Sequence, residues 1–181
     1  MANVKLSALT ELTAKAGADI LGIIDDPAGS PLSRKITVTN LCHWGFGEIY
    51  LSGGATGTGA LTPSTWTLLT LFAANGEAVN TTPDHTADDI DATNAGIYRI
   101  DFNVTFTTDG TAQVDFAPYV NASQTQILAS VDCVTTTIYN VSASGFYDIS
   151  TAGWDVDLRV RADAAVDVTV TDMNLSILRV S

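Results

Sequence analysis

Between Tyr98 and Phe106 every second residue is large and apolar: Tyr98, Ile100, Phe102, Val104 and Phe106 share one phase, and Arg99, Asp101, Asn103 and Thr105 share the other. A strand sends successive side chains to opposite faces, so this segment reads as a β-strand with one face in a core. A helix, turning about 100° per residue, would scatter both sets around its axis. The same period recurs in Trp154–Ala162, where Val156, Leu158 and Val160 alternate with Asp155, Asp157, Arg159 and Arg161. It returns near the C-terminus with Val166, Val168 and Val170, then Leu175 and Ile177. Further strands are expected at Glu48–Ser52, Thr65–Ala73, Thr111–Asn121, Gln126–Asp132, Thr135–Ser142, Tyr147–Ser150, Val166–Thr171 and Asn174–Val180. Closely spaced strands, Gly, Asn and Asp turns such as Asp109-Gly110, and no helical period after Trp44 predict an all-β fold, an antiparallel jelly roll or β-sandwich. Enrichment in Thr and Val agrees, and no solenoid or propeller period is present.

Before Trp44 the pattern differs. Short apolar patches, Val4–Leu9, Asp19–Asp25 and Leu32–Val38, alternate with turn signals, the strongest being Asp26-Pro27-Ala28-Gly29-Ser30-Pro31. This is the composition of a small β-rich arm. Its apolar residues Val4, Leu6, Leu9, Leu12, Ile20, Leu21, Ile23, Ile24, Leu32, Ile36, Val38 and Leu41 are too many for a free tail and too few for a core of their own. They are the expected partner-binding residues. The sequence therefore divides into an arm, 1–43, and a jelly-roll body, 44–181. Charge divides in the same place. The arm balances four basic residues (Lys5, Lys15, Arg34, Lys35) against four acidic ones (Glu11, Asp19, Asp25, Asp26), so the whole net charge of −12 belongs to the body.

An acidic body repels the phosphate backbone, which excludes nucleic-acid binding through it. The longest apolar runs, Ile20–Ile24 and Leu68–Ala74, fall far short of the roughly 20 residues of a membrane-spanning helix. The opening Met-Ala-Asn-Val-Lys-Leu-Ser lacks the basic-then-apolar pattern of a secretory signal. Cys42 and Cys133 show no C-x-x-C spacing and read as free thiols in a reducing compartment. With 46% hydrophobic and only 15% charged residues, the chain can offset its ordering entropy. So few charges also suggest that some apolar surface is covered by another subunit.

No catalytic constellation emerges. His43 and His85 are the only histidines, and there is no Gly-x-Ser-x-Gly elbow, no His-Glu-x-x-His and no legible carboxylate pair, so the chain is not expected to be an enzyme. Gly53–Gly59 lacks the lysine and following helix of a phosphate cradle and reads as a loop or Gly-rich edge. Asp84–Asp91 carries oxygen ligands suited to Ca²⁺ but not the Gly and terminal Glu of an EF-hand. It is taken as a solvated loop, and no metal or cofactor is assigned. The sequons at Asn80, Asn103, Asn121, Asn140 and Asn174 are attributed to chance in a Thr- and Ser-rich chain. Trp44, Phe46, Trp66 and Trp154 are assigned to core or intersubunit packing rather than to a sugar-stacking platform.

Val4-Lys-Leu-Ser-Ala-Leu-Thr-Glu-Leu-Thr, Ala18-Asp-Ile-Leu-Gly-Ile-Ile-Asp25 and Ser33-Arg-Lys-Ile-Thr-Val-Thr-Asn-Leu41 resemble an N-terminal module of tailed-bacteriophage virion proteins, both head decoration proteins and tail fibres. The body, through Gly47–Ser52, Thr62–Trp66, Gly96–Phe106 and Phe116–Asn121, resembles the trimeric tumour-necrosis-factor/C1q-like jelly rolls of phage structural proteins. The resemblance implies a non-enzymatic virion protein on the outer surface of the capsid. It would be a homotrimer whose arm binds the major capsid protein. The alternative is a receptor-binding tip or short tail fibre, with the tail baseplate or a host receptor as partner. The absence of a fibrous shaft between arm and body favours the head.

Overall fold

The computed structural model describes residues 20–25, 32–37 and 44–180, and every regular element among them is a strand. The chain divides into two units, Met1–His43 and Trp44–Ser181. In the first, β1 (Ile20–Asp25) pairs antiparallel with β2 (Leu32–Thr37), from Ile20 opposite Thr37 to Asp25 opposite Leu32. Of the expected partner-binding residues, Ile20, Leu21, Ile23, Ile24, Leu32 and Ile36 lie on this hairpin. Val4, Leu6, Leu9, Leu12, Val38 and Leu41 lie outside the described residues.

The second unit holds β3 (Phe46–Leu51), β4 (Thr56–Ala60), β5 (Thr67–Leu68), β6 (Ala74–Val79), β7 (Thr81–Asp84), β8 (Asp89–Ala92), β9 (Gly96–Thr108), β10 (Ala112–Val120), β11 (Ser123–Gln124), β12 (Ala129–Cys133), β13 (Tyr139–Ile149), β14 (Trp154–Ala162) and β15 (Asp167–Arg179). They form two antiparallel sheets. One runs β13-β9-β15-β3-β6, with β4 also pairing β15. The other runs β11-β10-β14-β8-β7, with β12 also on β10 and β5 on β14. The expected antiparallel β-sandwich is what the body adopts.

The alternating residues do what their phase demands. Tyr98, Ile100, Phe102, Val104 and Phe106 of β9 are buried, and Leu175 and Ile177 of β15 meet Val156, Leu158 and Val160 of β14 in one continuous core. Phe106 and Phe116 place their rings 5.0 Å apart between the sheets. Each fully buried side chain of this size contributes about 1.5–3 kcal/mol. Tyr98 buries its ring, and its hydroxyl donates to the Asn94 carbonyl at 2.8 Å, so the polar end is not left unpaired.

Several strand boundaries differ from expectation. Expected strands Thr135–Ser142 and Tyr147–Ser150 correspond to one strand, β13, which begins only at Tyr139, after a turn over 134–138, and ends at Ile149. Its middle, Ser142-Ala143-Ser144-Gly145, is too small to show alternation, and Ile127 sits over the face of Gly145 where a Cβ would be. Val166–Thr171 and Asn174–Val180 likewise merge into β15, interrupted by a bulge between Val170 and Asp172 that shifts the phase by one residue. Expected strand Thr65–Ala73 shrinks to β5, and Gln126–Asp132 resolves into β12 preceded by irregular chain. The Gly-rich stretch supplies an edge strand, β4. Asp84–Asp91 is not a loop throughout: its two ends belong to β7 and β8, joined by a turn.

Candidate interaction surface

The outer face of the first sheet is organised by its register into rows that cross the strands. Asn140, Thr105 and Asp172 form one row. Ser142, Asn103, Asn174 and Tyr50 form the next, followed by Ser144, Asp101, Ser176 and Glu48. Then the chemistry changes. Phe146, Arg99, Leu178, Phe46 and Val79 form the fourth row. Beyond it Ile97, Val180 and Trp44 extend the apolar end, with the Val180 amide donating to the Ile97 carbonyl and the Arg179 amide to the Gly45 carbonyl. Trp44 is 71% exposed and Phe146 67%, and Val79, Ile97, Leu178 and Val180 are exposed as well. Scattered exposed hydrophobes are ordinary. A contiguous set of this size across five strands marks an interaction surface.

The polar rows hold a shallow depression of about 360 Å³ lined by Glu48, Tyr50, Ser52, Asn103, Asp172 and Asn174. The Asn174 amide donates to the Glu48 carboxylate, and Asp172 accepts from the Gly53 amide at 3.1 Å. Between the two halves Arg99 donates from Nε and Nη2 to Asp101, at 3.0 and 2.8 Å, which neutralises the cation at the rim of the apolar end. The neighbouring edge is also incompletely covered. Tyr139, Val141, Ala143 and Tyr147 of β13 pack on the core yet remain half-buried.

The outer face of the other sheet is charged and largely self-satisfied. Arg161 donates to Asp115 and lies over the Trp66 ring, 4.8 Å from its centroid, while Ser130 donates to the other Asp115 oxygen at 2.5 Å. Arg159 grips Asp157 through two 2.8 Å bonds and stacks on Tyr119. This lattice buries Asp115, Ala117 and Tyr119 on what strand alternation would make a solvent face. Further along lies an acidic ladder: Asp91 opposite Asp155, Asp89 opposite Asp157, and Asp84 opposite Asp89. Burial and these neighbours push Asp89 up to about 6, and Asp91 is raised for the same reasons.

The aromatic residues singled out in the sequence do not converge. Trp44 and Phe46 are on the first sheet's outer face, Trp66 meets Tyr119 edge-on at 5.8 Å on the other sheet, and Trp154 packs against the core. His85 is tied to Asn75: its backbone amide donates to Asn75 Oδ1 at 2.7 Å, with Nδ1 3.0 Å from the same oxygen. Among the described residues no three potential ligands cluster in metal-binding geometry. Cys133 is buried, which pushes its thiol up to about 11. Of this apolar end the sequence singles out Trp44 and Phe46; Val79, Ile97, Phe146, Leu178 and Val180 escape it because they come from separate strands.

No family model and no curated protein matches the sequence. Solved structures do match the body's shape. The crystal structure of murine APRIL at pH 5.0 superposes with a TM-score of 0.51 at 13% identity, covering 75% of this chain and 99% of that one. The body is a tumour-necrosis-factor-like jelly roll. The structure of Eiger TNF from S. frugiperda aligns with a TM-score of 0.49 at 10% identity, over 76% of this chain and 94% of the other. At these identities the likeness concerns the fold.

Proposed function

We propose that the chain is a decoration, or cement, protein of a tailed-bacteriophage head, bound as a homotrimer to the major capsid lattice on the outer surface of the particle. The virion assignment rests on the sequence resemblance of residues 3–41. The assembly assignment is carried by the apolar end of the first sheet.

A body with a net charge of −12 resists self-association through most of its surface. The Trp44, Phe46, Ile97, Phe146, Leu178 and Val180 surface is the exception, since Arg99 is already paired with Asp101. The half-covered edge of β13 offers the complementary element. Docking that edge on the apolar face of the next copy is a heterologous contact, and such contacts close into rings when the rotation allows. Three copies carrying three arms would then bind a lattice with the gain of multivalency.

Light scattering should give three times 19.0 kDa for the chain. Phe146→Glu combined with Leu178→Glu should give monomers without loss of the β-sheet circular dichroism. Added to undecorated heads, the native protein should appear by electron microscopy on the outer capsid surface. Density confined to the tail would replace this reading with the receptor-binding one, and a monomeric native protein would remove the trimer.

A further inference from the structure

The β7–β8 hairpin occupies a distinctive position in the sandwich. It follows directly on β6 of the first sheet, crossing at Asn80, whose positive φ of 52° is one that Asn tolerates and whose amide donates to the Trp44 carbonyl. Thr81 donates through its hydroxyl to the Phe46 carbonyl at 2.5 Å, and Ile90 and Ala92 are fully buried. The hairpin therefore closes the seam between the two sheets along one edge. On its inner side it is apolar and well packed, with Thr81 and Ile90 crowding Gly47 of β3.

Its outer side is opposed to its own attachment. The hairpin meets β14 through Ala92–Trp154, Asp91–Asp155, Ile90–Val156 and Asp89–Asp157. Two of these four cross-strand pairs are Asp facing Asp, and a third such pair, Asp84–Asp89, lies within the hairpin. Like charges directly opposite on a sheet destabilise it. The groups that face Asp89 are Asp84 from β7, Asp91 from its own strand, and Asp155 and Asp157 from β14. Among the described residues the cation beside them is Arg159, which donates twice to Asp157. In the turn, His85 weakly favours the charged forms of Asp84 and Asp88, Asp88 accepts from the Phe72 amide, and Asp84 is already satisfied by the Thr86 hydroxyl and amide. Arg159 also attracts Asp155, but among the described residues no basic side chain forms an ion pair with Asp89 or Asp91.

We propose that this hairpin is a proton-gated clasp: protonation of the Asp ladder shuts it on β14, and full ionisation raises the frequency with which it opens and uncovers the edge of the core at Ile90 and Ala92. A proton held between two facing carboxylates turns a repulsion into a donor–acceptor pair. When both carboxylates of a pair are charged, their repulsion works against the backbone ladder to β14 and the apolar inner face that hold the hairpin. The sign follows from linkage. Asp89 has its folded-state value raised from 3.8 to about 6, so the closed form binds more protons than the open one. Closure is favoured most at low pH, and the advantage is lost as pH rises through about 6.

Hydrogen exchange of residues 81–92 at pH 5.0 and 7.5, with intrinsic rates divided out and protomer concentration held constant, tests this. Protection of the hairpin should fall at the higher pH by at most about tenfold, the value before the solvent that reaches this face weakens it, while residues 98–106 of β9 keep theirs. Asp89→Asn and, from the facing strand, Asp155→Asn should each retain hairpin protection at pH 7.5; both remove repulsion, so neither endangers folding. Equal protection at the two pH values overturns the proposal. So does an unchanged pH response in both variants, or a parallel loss in β9, which would make the effect global.

Discussion

Arg161 and Arg99 both pair with an aspartate, yet replacing them should have very different consequences. Arg161 donates through Nε at 3.2 Å and Nη2 at 2.5 Å to Asp115, whose side chain is only 8% exposed. Arg99 pairs with Asp101, and those side chains are 49% and 31% exposed. Methionine in place of either arginine keeps much of the aliphatic stem, so the comparison isolates the guanidinium. In Arg161→Met, Asp115 stays buried with the Ser130 hydroxyl still donating to it. Breaking a buried pair costs about 3–5 kcal/mol, and because Arg161 itself is 37% exposed, water can partly take its place. We expect about 3 kcal/mol for Arg161→Met and at most about 1 kcal/mol for Arg99→Met. Urea unfolding at one fixed protomer concentration measures both, with m-values unchanged if the transition remains the same. The double variant Asp115→Leu/Arg161→Met should recover at least half of the loss, because removing both partners leaves no stranded charge. Equal costs for the two single substitutions, or a double variant worse than Arg161→Met, would refute the view that burial of Asp115 decides the energetics of this face.

Gly47→Ala should destabilise the body by about 2 kcal/mol, read as a shift in the urea midpoint, because a Cβ there would meet Thr81 and Ile90 across the seam. Cys133, buried and with its thiol pushed up to about 11, should resist iodoacetamide at pH 8 in the folded protein and react only after denaturation; a Cys42→Ser background makes the label count unambiguous.

The legibility of this fold follows the length and uniformity of each strand. β9 was plain in the sequence because five large residues keep one phase without interruption, and β14 because Arg and Asp occupy every outward position. β13 and β15 were each read as two strands for different reasons: small residues erased the signal in one, and a bulge reversed its phase in the other. β7 and β8 were hidden by composition. Asp is depleted in strands, so Asp89-Ile90-Asp91-Ala92 reads as loop unless the burial of Ile90 and Ala92 is known. The same limit applies to β10, where alternation assigns Asp115 and Tyr119 to solvent. Both are covered instead, by arginines on a strand more than thirty residues further along the chain.

The candidate surface was the least legible feature, though each of its residues left a trace. Leu178 and Val180 are out of phase with Leu175 and Ile177. Ile97 is out of phase with Tyr98 and Ile100, and Phe146 with Tyr147 and Ile149. Each reads singly as a permissible exposed hydrophobe. Only the register, which sets Phe146 beside Arg99, Leu178, Phe46 and Val79 in one row, turns these separate exceptions into a surface. The acidic ladder has the same origin on the other sheet, where register turns ordinary outward aspartates into facing pairs. One sheet thus presents an apolar end free of unpaired cations, and the other concentrates negative charge. A two-fold contact between copies through the second face would bring ladder against ladder. In this way the repulsive face would disfavour association through itself without contributing a contact of its own.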